Sequence, residues 1–507
     1  MQAAKDIAQV SKLGGMNELK VAAFVRIQCA VNFQIIANLL RHVCAFSIAL
    51  DASTCQGTSY IDVRVCFVWD RQLVNVHLLS VPFIGSHTGL AQFEMFSKLL
   101  NVIAPNWKSQ LIGASSDGAR NMTGCVSGVI TRLQQCCLDG FIRVWCLLHQ
   151  LDIPLQDAYQ KIDGGAWYTT LVPMISHLRR QQSLISEMKS RCPKTSTTRW
   201  HAMFSVTSWF DVHRNEIMAH YKQFPIGSAC RASEPKSDAW WIMNAATGTI
   251  TTMIYTVIIR LQGHRLALYQ QESSVKHLIA NISLTICASC DLEIEDKSTH
   301  VVRDDWSAST VDITNFIEDL GHFAMMAPRS LDAPSRVALT KDVAYFVFDI
   351  ASGFLECVAM RDKRNACSII DIPPVYPFEL VTVRGRDIAS IVEQQKDRLL
   401  FSWTLPEIDE LIALYKNDLK IKETIDACDY NCSFDNAWAL PCLVGRFDHL
   451  VKFVGGLMSP FPNIAPVESD FLILKYRKEV FNKSLSDSSL ESFLQCKQCD
   501  LLRMIKK

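Results

Sequence analysis

The chain has 507 residues, which is enough for about three folding units or for one elaborated domain with a large insertion. With 49% hydrophobic and 20% charged residues it can bury sizeable cores, which excludes disorder as a description of the whole chain. Its 51 basic residues balance 51 acidic ones, which argues against a protein that binds nucleic acid through bulk positive charge. Any nucleic-acid site must therefore be local.

The cysteines and the apolar segments predict a chain that folds in a reducing compartment and has no membrane partner. The 19 cysteines are scattered along the sequence instead of being spaced as a small disulfide framework. The first residues lack the apolar core of a signal peptide. The most apolar stretches, 31–50 and 343–360, are interrupted by polar or charged residues, so we expect buried elements there instead of membrane spans.

After an N-terminal helical segment, 1–45, the hydrophobic periodicity predicts a series of strands and helices. In chain order these are strands at 46–50, 61–68 and 73–81, a helix at 90–103, a strand at 111–114, a helix at 126–133, a strand at 141–148 and a helix from about 149. The three leading strands suggest an antiparallel meander, and the later ones suggest right-handed crossovers. We therefore expect an α/β fold with a five-stranded mixed sheet, in the ribonuclease H-like order of elements.

The rest of the sequence predicts an interrupted core. The first part of the ribonuclease H-like core would be 46–163, followed by a large, mostly α-helical insertion at 164–457. The last segment, 458–507, carries two amphipathic patterns and would return to the sheet as helices.

Two aspartates follow predicted strands that should be neighbours at the centre of the sheet. Asp51 ends the first strand and Asp117 the fourth, and two carboxylates that close repel each other unless a cation lies between them. Oxygen ligands suit Mg²⁺ or Mn²⁺, and two such ions roughly 4 Å apart promote phosphodiester transfer. A nucleic-acid backbone is the expected substrate, with a third acid from a returning helix. Both aspartates also fit a structural interpretation: Asp117 suits a turn, and Asp51 suits a cap.

Four motifs, in one order along the chain, resemble those of hAT-superfamily (hobo/Activator-like) transposases. They are Ser116-Asp117-Gly118-Ala119-Arg120-Asn121-Met122-Thr123-Gly124, Cys146-Leu147-Leu148-His149-Gln150, Thr197-Thr198-Arg199-Trp200 and Pro466-Val467-Glu468-Ser469-Asp470-Phe471. They are similar to the family's second-aspartate block, its Cys-x-x-His motif, its Arg-Trp motif and the block that opens its C-terminal dimerisation region. The resemblance covers about 48–494.

The resemblance implies a DDE-type DNA transposase in which Asp51, Asp117 and Glu468 bind the metal and carry out catalysis. Members of the family cut element ends, form hairpins on flanking DNA and join the 3′-hydroxyls of the element to a target. DNA as substrate implies a nuclear protein, although no Lys/Arg-rich import signal is evident. The family also implies a homo-oligomer through the C-terminal region. Without the family, Glu468 just after Pro466 would suit the first turn of a helix.

Cys146 and His149 have the spacing of half a zinc site, but no second pair of ligands lies close in sequence. We expect Cys146 to be structural and buried beside the catalytic sheet, with zinc as the alternative. The motif position of His149 suggests that it approaches DNA or a metal-bound phosphate.

The segment 177–200 is locally basic, and we call it the basic segment. The side chains expected to bind DNA are Arg179, Arg180, Lys194 and Arg199, together with the aromatic Trp200. Basic side chains bind phosphates while an aromatic ring stacks on an unpaired base, as a hairpin-forming reaction would need. The alternative is a solvated helix followed by a tryptophan of the core.

The sequence departs from the family pattern in three places, one of which is a region before Asp51 that is shorter than in the family. Family members commonly carry an N-terminal BED-type zinc finger, whereas the first fifty residues here supply only Cys29 and Cys44. The family's arginine after the glutamate is replaced by Ser469 and Asp470. The residues therefore leave three functions open: a transposase or a truncated or domesticated derivative of one, a non-catalytic transposon-derived protein that binds DNA or dimerises, and a host nuclease of the same fold.

Overall fold

The computed structural model describes the chain in ten segments, 18–55, 57–196, 199–235, 237–263, 266–290, 297–364, 374–399, 404–428, 432–477 and 486–506. The chain forms two compact units. The first, the sheet unit, contains 1–146, 264–269 and 365–507. The second, the helical unit, contains 147–263 and 270–364.

The sheet unit is built on a five-stranded mixed sheet of order β3-β2-β1-β4-β5. The strands are β1 (Phe46–Cys55), β2 (Thr58–Trp69), β3 (Gln72–Pro82), β4 (Leu111–Ser116) and β5 (Ile142–Trp145). β1 pairs antiparallel with β2 and parallel with β4, while β2–β3 is antiparallel and β4–β5 parallel. The prediction of an α/β fold with a five-stranded mixed sheet is confirmed, and the strand order is compatible with a ribonuclease H-like fold.

Two of the differences between the observed and predicted strand boundaries bear on the candidate site residues. β1 continues to Cys55, so Asp51 lies within the strand instead of at its end. The polar residues after Asp51 stay extended because they form the β1–β2 hairpin, in which Cys55 pairs with Thr58. β5 ends at Trp145, three residues earlier than predicted, because the next helix begins at Leu147.

Helices pack on both sides of this sheet. Those before and between the strands are α1 (Glu18–His42), α2 (Gly89–Ile103), α3 (Trp107–Gln110), α4 (Arg120–Thr123) and α5 (Val129–Cys136). One face of the sheet, including Ile48, Leu50 and Val65, forms a core with α1, α2 and α5. Because strand residues alternate between faces, Ser47, Ala49 and Asp51 point to the opposite face.

The helical unit is mostly α-helix in its described residues. Its elements are α6 (Leu147–Lys161), α7 (Ala166–Leu178), α8 (Gln182–Met188), α9 (Met203–Val212), α10 (Arg214–Lys222), α11 (Asp238–Gln262), α12 (Gln270–Leu284), the hairpin of β6 (His300–Arg303) and β7 (Trp306–Ser309), α13 (Thr310–Asp319), α14 (His322–Met326) and α15 (Ala333–Arg364).

The chain then returns to the sheet unit. The helices of this last part are α16 (Pro377–Leu380), α17 (Gly385–Gln394), α18 (Thr404–Asn417), α19 (Leu419–Asp426), α20 (Phe434–Trp438), α21 (Asp448–Met458), α22 (Ala465–Tyr476), α23 (Asp487–Lys497) and α24 (Cys499–Lys506). Of the residues predicted for the C-terminal helices, Val480, Phe481 and Leu485 lie outside the described residues.

The predicted insertion, 164–457, extends beyond the C-terminal end of the helical unit, which is residue 364. Helices α16 to α21 form one apolar core with Ile142 and Val144 of β5, so they cover the sheet face that carries Asp51. At Gly455 of α21 an added Cβ would lie 2.8 Å from Val68 of β2, which shows how closely this helix approaches the sheet. Helical periodicity alone did not reveal which of the two units these helices join.

Two helices are long and apolar enough to span a membrane by length and composition alone, Lys20–His42 and Asp238–Gln262. In the structure α11 packs against α9 and α15, and residues along it such as Ile250 and Ile258 are fully buried. Core helices of soluble proteins reach the same length and hydropathy, so these two segments are weak evidence for a membrane protein.

Candidate functional site

The sheet brings Asp51 and Asp117 to adjacent positions. Ala49 of β1 pairs with Ser115 of β4 in parallel register, and each aspartate lies two residues further along the chain from its paired residue. Asp51 still lies within β1, whereas Asp117 directly follows the last residue of β4. Neighbouring strands are about 4.8 Å apart and residues two apart on a strand share a face, so continuation of this register would direct both carboxylates to the same side of the sheet. Carboxylates on one side of two neighbouring strands can share a divalent cation.

Backbone contacts orient both carboxylates. Asp51 Oδ1 accepts a hydrogen bond of 2.7 Å from the backbone N–H of Ala52. Asp117 follows the last residue of β4, and its Oδ1 accepts a hydrogen bond of 3.2 Å from the backbone N–H of Ala119. Gly118 leaves no room for a side chain, because an added Cβ would lie 2.6 Å from the indole of Trp145. The glycine therefore lets the turn after Asp117 pack against β5.

Glu468 lies in the first turn of α22, as its position after Pro466 predicted. This helix packs on β1 and β2, so Glu468 is brought to the sheet and is half-buried there. The chain also contacts β1 before this helix begins. The Ser47 hydroxyl of β1 donates a hydrogen bond to the carbonyl of Ser459, at the C-terminal end of α21. The returning helix that the sequence predicted therefore packs beside the strand that carries Asp51.

A different set of residues forms the tightest cluster of metal-ligating groups. Among the described residues, the one group of three whose ligand atoms all lie within 4.8 Å of one another is Asp62, His77 and Asp470. The set Asp51, Asp117 and Glu468 is not such a group. We call Asp62, His77 and Asp470, with Arg64 and Glu491 that contact them, the buried polar cluster.

The buried polar cluster assembles from β2, β3 and two C-terminal helices. Asp62 lies directly opposite Asp51 in the β1–β2 pair, so both belong to the same sheet face. Arg64 lies on that face because it is two residues further along β2, and it pairs with His77 of β3. Arg64 Nη1 donates a hydrogen bond of 2.5 Å to Oδ2 of Asp470, which lies in α22.

Burial dominates the electrostatics of the cluster. Burial raises the pKa of Asp62 to about 6, although His77 acts in the opposite direction. Burial alone would lower the pKa of His77, but the carboxylates of Asp62 and Glu491 outweigh it and hold that pKa well above its usual value. Burial likewise opposes ionisation of Asp470, but its interactions with His77 and Arg64 keep its pKa below the usual value.

Helix α23 and Gln498, the residue that follows it, hold His77 from the side of β3, which is an edge strand. The imidazole Nε2 lies 3.1 Å from both carboxylate oxygens of Glu491. The side chain of Gln498 both accepts from the backbone N–H of His77 and donates to its carbonyl, each at 2.8 Å. Gln495 donates to the carbonyl of Leu78 at 3.1 Å. Amide side chains thus replace the missing neighbouring strand.

Cys146 and His149 do not form a metal centre with a third ligand in the described part of the chain. Cys146 is fully buried directly after β5, and its backbone N–H donates to the carbonyl of Ser116 at 3.0 Å. His149 is half-buried in the first turn of α6. Burial at the end of the sheet favours the structural role that we expected for Cys146.

Most of the charged side chains of the basic segment are exposed. The exposed basic side chains are Arg180, Lys189, Arg191 and Lys194. Arg179 is half-buried and donates a hydrogen bond to the carbonyl of Cys192, so it serves partly to close the loop after α8. Arg199 is half-buried as well, and its backbone N–H donates a hydrogen bond of 2.9 Å to Ser196 Oγ. Thr197 and Thr198 lie outside the described residues.

Trp200 belongs to the core of the helical unit. Only 5% of its surface is exposed. Its ring stacks on Tyr159 at a centroid distance of 6.1 Å and contacts Tyr168 at 5.5 Å. A buried ring that already contacts two aromatic neighbours has no open face for a nucleic-acid base. The core interpretation of Trp200 is therefore the one that the structure favours over base stacking.

The first residue of the basic segment, His177, forms a pair with His220 that predicts a pH-dependent stability. His177 Nε2 lies 3.3 Å from His220 Nε2, and burial followed by the His220 charge lowers the pKa of His177. Burial also lowers the pKa of His220. The unfolded chain takes up protons on both rings below about pH 6.5, whereas the folded chain does so only at lower pH. Their contribution to stability is therefore present at pH 7.5 and is lost as pH falls below about 6.5.

We expect His220→Gln to reduce the loss of stability between pH 7.5 and pH 5.5. The measurement is the thermal unfolding midpoint of wild type and variant at both pH values. His322→Gln, which replaces an exposed histidine of the same unit, is the control and should leave the pH difference unchanged. Equal pH differences in His220→Gln and wild type would contradict the assignment.

Sequence reasoning missed the buried polar cluster. Asp62 and Arg64 alternate with apolar residues in β2, which is typical of a strand with one face in solvent. The one available signal was an acid and a base two apart in a strand, followed by a histidine in the next strand. Asp470 was noted only as a departure from the family pattern. Nothing in the local sequence shows that a helix more than 400 residues away covers these side chains.

Comparison of the chain with known protein families and with curated proteins finds no significant match.

Proposed function

We propose that the chain is a hAT-like DNA transposase, or a truncated or domesticated derivative of one, that cuts and joins DNA by metal-dependent phosphodiester transfer. The observation that carries the proposal is the parallel pairing of Ala49 with Ser115, two residues before Asp51 and Asp117, with Glu468 on a helix packed on the same sheet. The strand order, interpreted as ribonuclease H-like, and the four motifs in the family's order support it.

In this proposal Asp51, Asp117 and Glu468 hold Mg²⁺ or Mn²⁺ through carboxylate oxygens, the ligands that these ions prefer. The metal would supply charge stabilisation for the attacking and leaving oxygens of the phosphodiester. The chain's own part is to hold the carboxylates on rigid elements. Asp51 is placed by the central strand of the sheet, Asp117 by a turn packed against Trp145, and Glu468 by a helix end.

The same proposal gives the basic segment a role in binding the DNA backbone. The exposed Arg180 and Lys194 offer charge to phosphates, which suits a chain whose total charge is balanced. Arg199 and His149 keep the DNA contacts that the resemblance implies. Trp200 is given no stacking role, because its ring is buried.

The proposal extends to assembly and location. A homo-oligomer through the C-terminal region and a nuclear location are what the family resemblance implies. Leu474, Leu490 and Leu494 are buried within the chain, whereas Leu472 and Tyr476 on α22 are 69% and 53% exposed. The exposed pair supports contact with a second copy, since exposed apolar side chains at one helix face suit association.

The test is metal-dependent cleavage of nicked or branched DNA by wild type and Asp117→Asn. We expect wild type to cut with Mg²⁺ or Mn²⁺, and Asp117→Asn to lose about 10³-fold in rate, equivalent to about 4 kcal/mol of transition-state stabilisation. The asparagine keeps the oxygen that accepts from Ala119, so the fold should be retained. Glu94→Gln, which replaces an exposed acid of the sheet unit, is the matched control and should cut like wild type.

Other outcomes point to the alternatives. DNA binding without cleavage by any variant would contradict the enzyme and favour a non-catalytic DNA-binding or dimerisation protein of transposon origin. Cleavage of unrelated DNA or RNA without preference for element ends would favour a host nuclease.

A further inference from the structure

We propose that Asp62, His77 and Asp470 form a buried site for one divalent cation of the zinc type, separate from Asp51, Asp117 and Glu468. The ion would bind His77 through Nδ1 and the two aspartates through carboxylate oxygens. It would join β2 and β3 to α22, the helix that carries Glu468.

The distances suit metal ligands better than hydrogen bonds. His77 Nδ1 lies 3.3 Å from Asp62 Oδ2 and 3.4 Å from Asp470 Oδ2. Charged N–H···O bonds are shorter, about 2.7–2.9 Å. In a tetrahedral zinc site with bonds of about 2.0–2.1 Å, neighbouring ligand atoms lie about 3.3–3.4 Å apart. The two distances from the nitrogen therefore match two edges of such a site, and the ligand atoms of all three residues lie within 4.8 Å of one another.

Unsatisfied polar atoms point into the same space. Asp62 is fully buried, and neither of its carboxylate oxygens has an aligned hydrogen-bond donor among the described residues. His77 is 2% exposed, and its Nδ1 also has no aligned partner in that part of the chain. Leaving a buried carboxylate without donors is costly, and a cation removes that cost.

The far side of the imidazole has the support that zinc-binding histidines usually have. The Nε2 atom of His77 faces the Glu491 carboxylate at 3.1 Å, so its proton is held there and Nδ1 is left to bind a metal. Glu491 is fixed in turn by the backbone N–H of Ser80 at 2.7 Å and by Gln495 Nε2 at 2.8 Å. The chain thus supplies a carboxylate–histidine pair with its own anchoring contacts.

The charges also suit a divalent ion. Asp62, Asp470 and Glu491 are three carboxylates in a site where the only fixed positive charge that contacts them in the described residues is Arg64. One divalent cation balances the two remaining negative charges when it binds neutral His77 and the proton on Nδ1 is released to solvent. Arg64 shares Asp470 Oδ2 with the proposed ion, which a carboxylate oxygen with two lone pairs permits.

The test uses the full-length chain and zinc itself. Elemental analysis after dialysis should find about one zinc per chain in wild type. After treatment with EDTA, added zinc should raise the thermal unfolding midpoint by about 2 °C or more, because binding only to the folded state stabilises it. Asp62→Asn should lose both the zinc and the rise. Glu491→Gln keeps the three ligands and should weaken zinc binding by roughly 10- to 100-fold.

Zinc held by cysteines is distinguished by a control and by spectroscopy. The double variant Cys496→Ser/Cys499→Ser should keep the stoichiometry of wild type, because neither thiol belongs to the proposed site. Cobalt in place of zinc should give a spectrum without a thiolate charge-transfer band. Asp117→Asn should keep the zinc, so failure of the catalytic proposal and failure of this one can be told apart.

The proposal is overturned if wild type reconstituted with zinc holds none and shows no change in unfolding midpoint. It is overturned as well if Asp62→Asn binds zinc as tightly as wild type. If Asp62→Asn fails to fold, the zinc content and the unfolding midpoint of wild type alone decide whether the site exists.

Discussion

Replacing Arg64 by methionine should lower the free energy of unfolding by about 3–5 kcal/mol, because it leaves buried carboxylates without their permanent positive charge. Arg64 Nη1 contacts Asp470 Oδ2 at 2.5 Å, and Asp62 and Glu491 belong to the same cluster. The measurement is equilibrium denaturation of EDTA-treated protein at pH 7.5, so that no added metal replaces the lost charge. Methionine keeps most of the aliphatic packing, so the effect reports mainly on charge.

The matched control is the same substitution at an exposed ion pair. Arg446 Nη2 lies 3.3 Å from Glu410, and both side chains are about half exposed, so Arg446→Met should cost no more than about 1 kcal/mol. Replacing both partners of the buried pair, as in Arg64→Met/Asp470→Leu, should restore part of the lost stability, since the carboxylate that loses Arg64 is then removed as well. Equal costs for Arg64→Met and Arg446→Met would show that the cluster is hydrated and weakly coupled.

The second large effect is expected for Trp438→Ala, in the helices that return to the sheet after the helical unit. Trp438 is fully buried in the core that includes Ile142 and Val144 of β5. Its indole N–H donates to the carbonyl of Val375 at 2.9 Å. Truncation of a buried tryptophan costs about 3–5 kcal/mol, and the unpaired carbonyl adds to it. Urea denaturation followed by tryptophan-independent circular dichroism measures the change.

Trp438→Phe is the control for the shape of the side chain. It keeps much of the ring volume and loses the hydrogen bond, so a cost of about 1–3 kcal/mol is expected. The loss should affect the unfolding of the sheet unit, because α20 belongs to that unit. If the substitution destabilised the helical unit alone, α20 would belong to that unit, as the predicted insertion 164–457 requires.

The local periodicity of the sequence was sufficient for the sheet and its order. Ile61, Val63 and Val65 alternate with polar residues, and the helical spacing of 90–103 matches α2 closely. Both patterns arise within one element, because each side chain's direction is set by the backbone of its own strand or helix. The pairing of β1 with β4 also followed, since few connections are possible for strands joined by right-handed crossovers.

The candidate catalytic residues were predictable in part. Asp51 and Asp117 each lie two residues beyond the paired residues Ala49 and Ser115, and this register follows from the hydrophobic pattern. The position of Glu468 at a helix start followed from Pro466. The role of Trp200 was open, because a tryptophan after a basic run suits a core as well as a binding surface. Only its contacts with Tyr159 and Tyr168 distinguish the two.

The membership of 374–458 in the sheet unit and the buried polar cluster depend on contacts between distant parts of the chain. Asp62 and Asp470 are separated by more than 400 residues, yet His77 Nδ1 lies within 3.4 Å of a carboxylate oxygen of each. A periodic pattern shows which face of an element is apolar, but it carries no information on which helix covers that face. The amino-acid order therefore specifies the elements and the strand order, whereas packing between remote segments determines which polar side chains meet and lose contact with water.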